Sequence, residues 1–166
     1  MKSCLRPKIR TSRGFTAFEA LIAATILAFL TAAVSGALMA GRQQSQLARD
    51  TLYASMLGKA MMDEVMRLPT ADPKGYTTMG PDAGETRTTF NSVKDYSGYT
   101  DGPNNITDLA SNSFASNYQP FVRTVNVQPV SYTPNGWGQT VTGLLVTVTV
   151  TRNNEPLITF QRVAYY

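Results

Sequence analysis

The first hydrophobic pattern in the chain is a long apolar run near the N-terminus. Residues 15–40 comprise 26 residues and contain one charged side chain, Glu19. As a helix rising ~1.5 Å per residue, the uncharged stretch 20–41 is long enough to cross the ~30 Å hydrocarbon core of a bilayer. Five basic residues precede the run and the next one after it is Arg42, which predicts a cytoplasmic N-terminus. The sequence therefore predicts a transmembrane segment over residues 15–41.

A second hydrophobic pattern follows at the spacing of an amphipathic helix. Apolar side chains recur every three or four positions, which is the period of one helix face. The residues of this apolar stripe are Tyr53, Leu57, Ala60, Met61, Val65 and Leu68. Residues 42–68 contain no proline, and Pro69 disfavours a helical conformation at the residue before it. The sequence therefore predicts one continuous helix over residues 15–68, with its amphipathic part in residues 42–69.

The end of the chain carries the alternating pattern of half-buried strands. Three runs are rich in β-forming residues, namely 121–132, 140–152 and 157–166. In the middle run, valines and threonines alternate from residue 146 to residue 151, which is the period of a strand with one buried face. The connections between the runs are short enough for hairpins. Residues 121–166 are therefore predicted to form an antiparallel β-meander, with the apolar stripe of the helix covering its apolar face.

Residues 70–120 are dense in glycine, proline, aspartate and asparagine, which are the residues of turns. We predict a variable, loop-rich region that is held to the rest of the fold by a few apolar side chains. These predicted anchors are Tyr76, Phe90, Val93, Tyr96 and Tyr99. The predicted fold class is α+β, with a long N-terminal membrane-spanning helix packed on a small C-terminal antiparallel β-sheet.

The charge distribution limits the function classes. The chain has 166 residues and a formal net charge of +4. Five of its 15 basic residues precede Gly14, and the remaining 10 face 11 acidic residues, so no basic surface for nucleic acid is indicated beyond residues 1–14. Cys4 is the only cysteine and there is no histidine. An intramolecular disulfide, a His- or Cys-based zinc site and histidine acid–base catalysis are therefore excluded.

Glu19 is the residue of the apolar run that requires an explanation. An ionised carboxylate in hydrocarbon costs a few kcal/mol, and the apolar side chains around Glu19 offer it no partner within its own helix. A cut after Gly14 would create a cationic α-amino group on Phe15, which could pair with Glu19 of a neighbouring chain. At ~4 Å and an effective dielectric near 20, this attraction is about 4 kcal/mol. Helices stacked at any other offset would leave the carboxylate unpaired, so the pair would set the register of assembly.

The stretch "RGFTAFEALIAATILAF" resembles the processing site of type IV prepilins and type II secretion pseudopilins. The resemblance implies that residues 1–14 are a basic leader peptide and that a prepilin peptidase cleaves between Gly14 and Phe15. It further implies that Phe15 becomes the N-methylated terminus and that Glu19 assists assembly. The helix and meander that follow look like the I-type minor pseudopilins and V-type minor pilins, which implies a pilin-like fold.

The resemblance also implies partners and a location. The partners are the prepilin peptidase, other pilin or pseudopilin subunits bound through the N-terminal helix, an inner-membrane assembly platform and the lipid bilayer. The chain would be a single-pass protein of the bacterial inner membrane with a periplasmic C-terminal domain, and later part of a pseudopilus or pilus. It departs from many pilins in having Ser35-Gly36 where a helix-bending proline is common, and in lacking a C-terminal disulfide. Both departures favour a minor subunit, and the chain is not expected to be an enzyme.

Two other functions remain open from the sequence. One is a DNA-uptake or adhesive pilin whose loops bind a ligand, although the near-neutral charge beyond residue 14 argues against strong nonspecific DNA binding. The other is an unprocessed membrane-tethered enzyme, for which the sequence offers no nucleophile–base pair. Asp63 and Glu64 are adjacent on the predicted helix and point in different directions, so they form no catalytic carboxylate pair.

Two local features of the loops carry weaker hypotheses. Oxygen-bearing side chains between residues 95 and 108 could bind calcium, although their spacing is not that of an EF-hand and suits solvated turns. These candidate ligands are Asp95, Asp101, Asn104, Asn105 and Asp108. Trp137, near Tyr132 in the sequence, is expected to fold over the sheet rather than to form an exposed contact for DNA or a protein.

Overall fold

The computed structural model describes residues 14, 16–133, 135–136 and 138–165. In that part of the chain there are one α-helix, one 3₁₀ turn and four strands. The elements are α1 (Ala17–Val65), the 3₁₀ turn (Val93–Tyr96), β1 (Thr100–Asp101), β2 (Phe121–Tyr132), β3 (Val141–Arg152) and β4 (Glu155–Tyr165). The chain divides into two compact units, residues 1–45 and residues 46–166.

The first unit contains the N-terminal part of α1. This helix is long and apolar enough to cross a membrane, and its most apolar window has no residue buried inside the structure. It is unbroken through Ser35-Gly36, as expected for a position that lacks a proline. The hydroxyls of Thr25 and Thr31 donate hydrogen bonds to carbonyl oxygens of the helix itself, at 2.8–3.0 Å. The polar groups of these threonines are thereby satisfied without water, as a helix in lipid requires.

The end of α1 agrees with the predicted stop. After Val65 the chain continues in tight turns, because the amides of Arg67 and Leu68 bond to carbonyls three residues earlier. These i→i−3 bonds are typical of the last turn of a helix, and Pro69 cannot continue the ladder. The predicted helix over residues 15–68 is therefore confirmed over Ala17–Val65.

In the second unit, the four strands form one antiparallel sheet in the order β1-β2-β3-β4. The predicted meander of three strands is confirmed, and β1 is a short addition from the loop-rich region. The β3–β4 connection is a two-residue turn in which Asn153 and Asn154 have φ values of 52° and 66°. Such positive values are those of the hairpin turn that matches strand twist, and asparagine tolerates them well.

The C-terminal part of α1 packs on the inward face of this sheet. The valines of β3 at positions 146, 148 and 150 are buried, as their alternation with threonines predicted. From the predicted apolar stripe, Leu57, Met61 and Val65 are buried, but Ala60 is exposed, so that part of the prediction was wrong. Ala60 lies about 100° around the helix from Met61, which turns its side chain out of the contact.

Ala54, Gly58 and Met62 supply the rest of the buried helix face. Gly58 allows a close approach of the helix to β4. A β-carbon placed there would lie 2.7 Å from Cε2 of Phe160 and 3.2 Å from a methyl carbon of Val150. The absence of a side chain at this position therefore sets how closely the helix and the sheet pack.

The loop-rich region is largely irregular, as predicted, apart from the 3₁₀ turn and β1. Val93 and Tyr96 are buried in the core, and Phe90 and Tyr99 pack against it, so four of the predicted anchors are confirmed. Tyr76 is 52% exposed, so the prediction for this residue was wrong. All of residues 73–79 are exposed, so no apolar neighbour in that segment draws Tyr76 inward.

Candidate functional site

Of the residues to which the resemblance assigns processing and assembly, the structure describes Gly14 and Glu19. Gly14 is exposed and lies outside the helix, which begins at Ala17. The backbone N–H and the hydroxyl of Thr16 each donate a hydrogen bond of 2.9 Å to Oε2 of Glu19. The N–H of Glu19 donates in return to Oγ1 of Thr16, at 3.3 Å. These reciprocal contacts form a capping box with Thr16 at the N-cap.

The capping box corrects one expectation from the sequence. Glu19 was expected to have no partner in its own helix, but Thr16 provides two hydrogen bonds to its carboxylate. The missed signal was the sequence Thr-x-x-Glu directly before an apolar run, which is the signature of a helix start. Phe15 and residues 1–13 lie outside the described residues, so the leader, the cleavage site and the proposed Phe15 amine stay predictions.

The helix beyond this turn presents a continuous apolar surface. Its large apolar side chains are exposed in the first unit, which predicts that lipid or other helices surround them. These side chains are Phe18, Leu21, Ile22, Ile26, Leu27, Phe29, Leu30, Val34, Leu38 and Met39.

The second unit contains a group of four charged and three polar side chains that are buried or half-buried, which we call the ionic cluster. Its members are Glu64, Arg87, Tyr96, Tyr99, Asp101, Thr107 and Arg123. At its centre, Arg87 binds Glu64 through two parallel hydrogen bonds of 2.7 and 2.6 Å. The hydroxyl of Tyr96 donates a third hydrogen bond to the Glu64 carboxylate, at 2.6 Å. Such paired bonds between a guanidinium and a carboxylate are strong and directional.

A second ion pair completes the ionic cluster. Arg123, on the inward face of β2, binds both carboxylate oxygens of Asp101 on β1. Arg87 approaches the same carboxylate at 3.5 Å. Both guanidinium groups also donate to the carbonyl oxygen of Thr107, each at 2.9 Å. The cluster thus joins α1, the loop-rich region, β1 and β2 through side-chain ion pairs and hydrogen bonds to one backbone carbonyl.

The electrostatics of the ionic cluster favour a charged Glu64 carboxylate and a neutral Tyr96 hydroxyl, as the direction of each pKa shift indicates. Burial raises the pKa of the Glu64 carboxyl, but hydrogen bonds from Arg87 and Tyr96 outweigh this effect and lower the net pKa below its ordinary value. Burial and the hydrogen bond to Glu64 raise the pKa of the Tyr96 hydroxyl above its ordinary value. Two guanidinium groups and two carboxylates balance, so the cluster carries no net charge.

The ionic cluster therefore has the chemistry of a structural cross-link rather than of a reactive centre. Its carboxylates are bound by guanidinium groups, and arginine does not release a proton in proteins. Asp63, the neighbour of Glu64 on the helix, instead lies 3.5 Å from Arg162 on β4 in an exposed ion pair. The two carboxylates thus contact different partners.

Two of the candidate calcium ligands have partners within the protein. Oδ2 of Asp95 accepts hydrogen bonds of 2.9 Å from the backbone amides of Asn91 and Ser92. Asp95 thereby caps the 3₁₀ turn, while Asp101 belongs to the ionic cluster. Both carboxylates are buried.

The other candidate ligands lie on exposed turns. Asp108 accepts two hydrogen bonds from Asn112, and Oδ1 of Asn105 accepts one from the amide of Gly102. Asn104 is exposed. Across the part of the chain that the structure describes, no group of three or more acidic, histidine or cysteine side chains is placed to hold a metal ion. Calcium binding stays a prediction, and the described residues show no cluster of ligands for it.

A smaller polar group surrounds Lys74 in the loop-rich region. The ammonium of Lys74 lies 2.6 Å from Glu85 and 3.8 Å from Asp82. Oδ2 of Asp82 and Oδ1 of Asn91 are buried and accept no hydrogen bond from the described residues. Burial and the charge of Glu85 raise the pKa of the Asp82 carboxyl. The side chain of Lys74 itself thus occupies the position between these two acids.

An open groove of about 740 Å³ lies in the second unit between the helix and the β3–β4 turn. Arg152 and Asp50 form an ion pair in it, and Arg49 and Glu155 add one charge of each sign. The charges of the lining balance, so the groove favours neither an anion nor a cation. The lining residues are Gln46, Arg49, Asp50, Tyr53, Asn117, Pro120, Arg152, Asn153, Glu155 and Leu157.

Tyr132, near the end of β2, is exposed. Trp137 lies outside the described residues, so its expected position over the sheet stays a prediction.

Comparisons with protein-family models, with curated proteins and with solved structures gave no significant match for the chain. Its function is therefore inferred from the first turn of α1 and from the layout of helix and sheet.

Proposed function

We propose that the chain is a structural minor subunit, a pilin or pseudopilin, of a type II secretion pseudopilus or a type IV pilus. A prepilin peptidase removes residues 1–14 and methylates the new N-terminus at Phe15. The subunit waits in the bacterial inner membrane with its second unit in the periplasm. It then leaves the bilayer and packs helix to helix with other subunits, on an inner-membrane assembly platform.

The observation that carries this proposal is the spacing of Gly14, Phe15 and Glu19 in the sequence at the start of a long apolar run. Glycine, phenylalanine, the glutamate four residues after it and the apolar run coincide over a short stretch. A single carboxylate at the start of such a helix is costly in lipid and suits a cation from a neighbouring chain. An α+β layout of one long helix and a small antiparallel sheet is compatible with this function.

The exposed apolar surface of the helix supports the same proposal. Lipid and the helices of neighbouring subunits are both apolar, so the same side chains can face either environment. Transfer of the subunit from the bilayer to the filament then changes the burial of its apolar surface little. Helix packing and the ion pair of Glu19 determine the position of the subunit in the filament. In this mechanism the chain is a substrate of the peptidase and a building block, and it catalyses no reaction.

The first test is cleavage of the full-length chain by a prepilin peptidase. Co-expression in bacterial membranes should yield a product that begins at Phe15 and carries one additional methyl group, as read by mass spectrometry of the intact protein. Gly14→Val should block cleavage, whereas Gly41→Ala, beyond the first turn, should leave it unchanged. An uncleaved wild-type chain would refute the proposal and favour a membrane-tethered protein of another kind.

The second test separates processing from assembly. Glu19→Ala should be cleaved and methylated like the wild type but should be depleted from the filament fraction, because the register-setting carboxylate is missing. The measurement is the ratio of processed protein in sheared filaments to that in membranes, in the bacterium that encodes the chain. Normal incorporation of Glu19→Ala would show that no register depends on this carboxylate.

A further inference from the structure

We propose that Thr16 is a positioning residue for assembly, which holds the Glu19 carboxylate in the geometry that receives the neighbouring subunit. This inference rests on the proposed function, because it concerns the same intermolecular pair. Its basis is the capping box, in which the Thr16 hydroxyl both donates to the Glu19 carboxylate and accepts from the Glu19 amide.

The hydrogen bonds are unevenly distributed over the carboxylate. The amide and the hydroxyl of Thr16 both bind Oε2, each at 2.9 Å. Oε1 accepts no hydrogen bond from any residue in the described ranges. An ionised carboxylate offers about four acceptor positions, so two contacts on Oε2 leave acceptor capacity on Oε1. Glu19 can therefore cap its own helix and accept a hydrogen bond from a cation of another chain at the same time.

The contacts of Thr16 also reduce the freedom of the Glu19 side chain. A free glutamate has several rotatable bonds, and ordering it on binding costs conformational entropy. The capping box imposes that order within the subunit, before the partner arrives, which is preorganisation. The amide of residue 16 is present in every variant, whereas the hydroxyl depends on the side chain. The hydroxyl of Thr16 is thus the part of the device that mutation can remove.

The matched variants are Thr16→Val, which keeps the shape and removes the hydroxyl, and Thr16→Ser, which keeps the hydroxyl. Each is expressed as the full-length chain in the bacterium that encodes it. Mass spectrometry measures cleavage, and immunoblotting measures the ratio of processed protein in filaments to that in membranes. Far-UV circular dichroism of the purified chain in detergent reports helix content.

We expect Thr16→Val to be cleaved normally and to keep its helix, but to lower the filament-to-membrane ratio about fivefold, the factor typical of a lost cap. Thr16→Ser should restore the ratio to that of the wild type. A ratio for Thr16→Val equal to or above that of the wild type would overturn the inference, because the cap would then be irrelevant to the pair or in competition with it. Failure of Thr16→Ser alongside Thr16→Val would also overturn it, since the hydroxyl would not be the cause.

These outcomes differ from a failure of the proposed function. If the wild type is neither cleaved nor assembled, the function itself is wrong. If the wild type and Thr16→Val assemble equally, the function stands and only the positioning role of Thr16 is lost.

Discussion

Replacing Glu64 by glutamine should destabilise the second unit more than any comparable change on the surface of the helix. Glu64 is 14% exposed in its side chain and Arg87 is 9% exposed, so water cannot replace the lost partner effectively. The substitution removes one of the two negative charges from a neutral cluster and leaves a net positive charge among buried groups. Arg87 would retain Asp101 at 3.5 Å, which it shares with Arg123.

The expected loss in the free energy of unfolding follows from the typical cost of breaking a buried ion pair. Removing one partner of a buried ion pair typically costs ~3–5 kcal/mol, because the remaining charge is left uncompensated. Glutamine keeps one oxygen that can accept from Tyr96 or Arg87, so the lower end, about 3 kcal/mol, is expected. Domains have a free energy of unfolding of ~5–15 kcal/mol, so this loss is a large fraction of the total. For a urea slope of ~1.5 kcal/mol per molar, the midpoint should fall by about 2 M.

The assay is urea unfolding of the full-length chain in detergent, followed by near-UV circular dichroism of the tyrosines. The matched control is Asp63→Asn, one residue away on the same helix. Asp63 and Arg162 are 41% and 55% exposed and 3.5 Å apart, so this change should cost less than about 1 kcal/mol. A Glu64→Gln midpoint no lower than that of Asp63→Asn would refute a stabilising role for the ionic cluster.

A double variant tests the reason for the loss. Replacing Glu64 and Arg87 together by methionine removes both charges and keeps similar volume, and Asp101 retains Arg123. If the unpaired guanidinium is the cause, the double variant should be less destabilised than Glu64→Gln alone. A double variant that is more destabilised would show that the hydrogen bonds themselves, and not the stranded charge, dominate.

Two further predictions follow from the geometry of the second unit. Because the folded-state pKa of Glu64 is lowered, its contribution to stability is present above the ordinary glutamate pKa of ~4.3 and is lost as the pH falls through the folded-state value. Urea midpoints measured from pH 6 to pH 2 should therefore fall less steeply for Glu64→Gln than for the wild type, and parallel curves would contradict this linkage. Gly58→Ala should lower the free energy of unfolding by about 1–2 kcal/mol, since its β-carbon would lie 2.7 Å from Phe160, and the overlap outweighs the ~1 kcal/mol gain in helix propensity. Gly41→Ala has no atom within 4 Å of the new carbon and serves as the control, so equal effects of the two changes would contradict the packing argument.

The regular elements were predictable because their periodicity is strong. The helix over Ala17–Val65 follows from an apolar run and a three-to-four spacing, and β2 and β3 follow from alternation and β-forming residues. Which small residues face the sheet was less predictable, because alanine and glycine carry little hydrophobic signal. Ala60 was predicted to lie on the buried face but is exposed. Gly58 is buried, because the ring of Phe160 fills the space that a side chain at position 58 would need.

The ionic cluster could not be derived from the sequence, because its members are separated along the chain and five of the seven lie in the loop-rich region. Arg87 is 23 residues from Glu64, and Arg123 is 22 residues from Asp101. One signal was available: Arg123 stands in β2 between Phe121 and Val125, at a position that alternation assigns to the buried face. A charge at such a position requires a partner, but alternation alone cannot say which carboxylate provides it.

The charged residues that stabilise the second unit are not the one proposed to act in assembly, which is Glu19 in the first turn of α1. Only one cysteine occurs in the chain, so no disulfide can fix the loop-rich region, and the ionic cluster ties that region to α1 and β2 instead. The Glu19 carboxylate, in contrast, is bound only within its own turn among the described residues. Changes in the cluster should therefore alter unfolding and leave cleavage intact, whereas changes at Thr16 or Glu19 should alter assembly and leave the urea midpoint intact. The two sets of contacts share no residue, so we expect no variant to change both the urea midpoint and filament assembly. A variant that changed both would show that folding of the second unit is coupled to the first turn of α1.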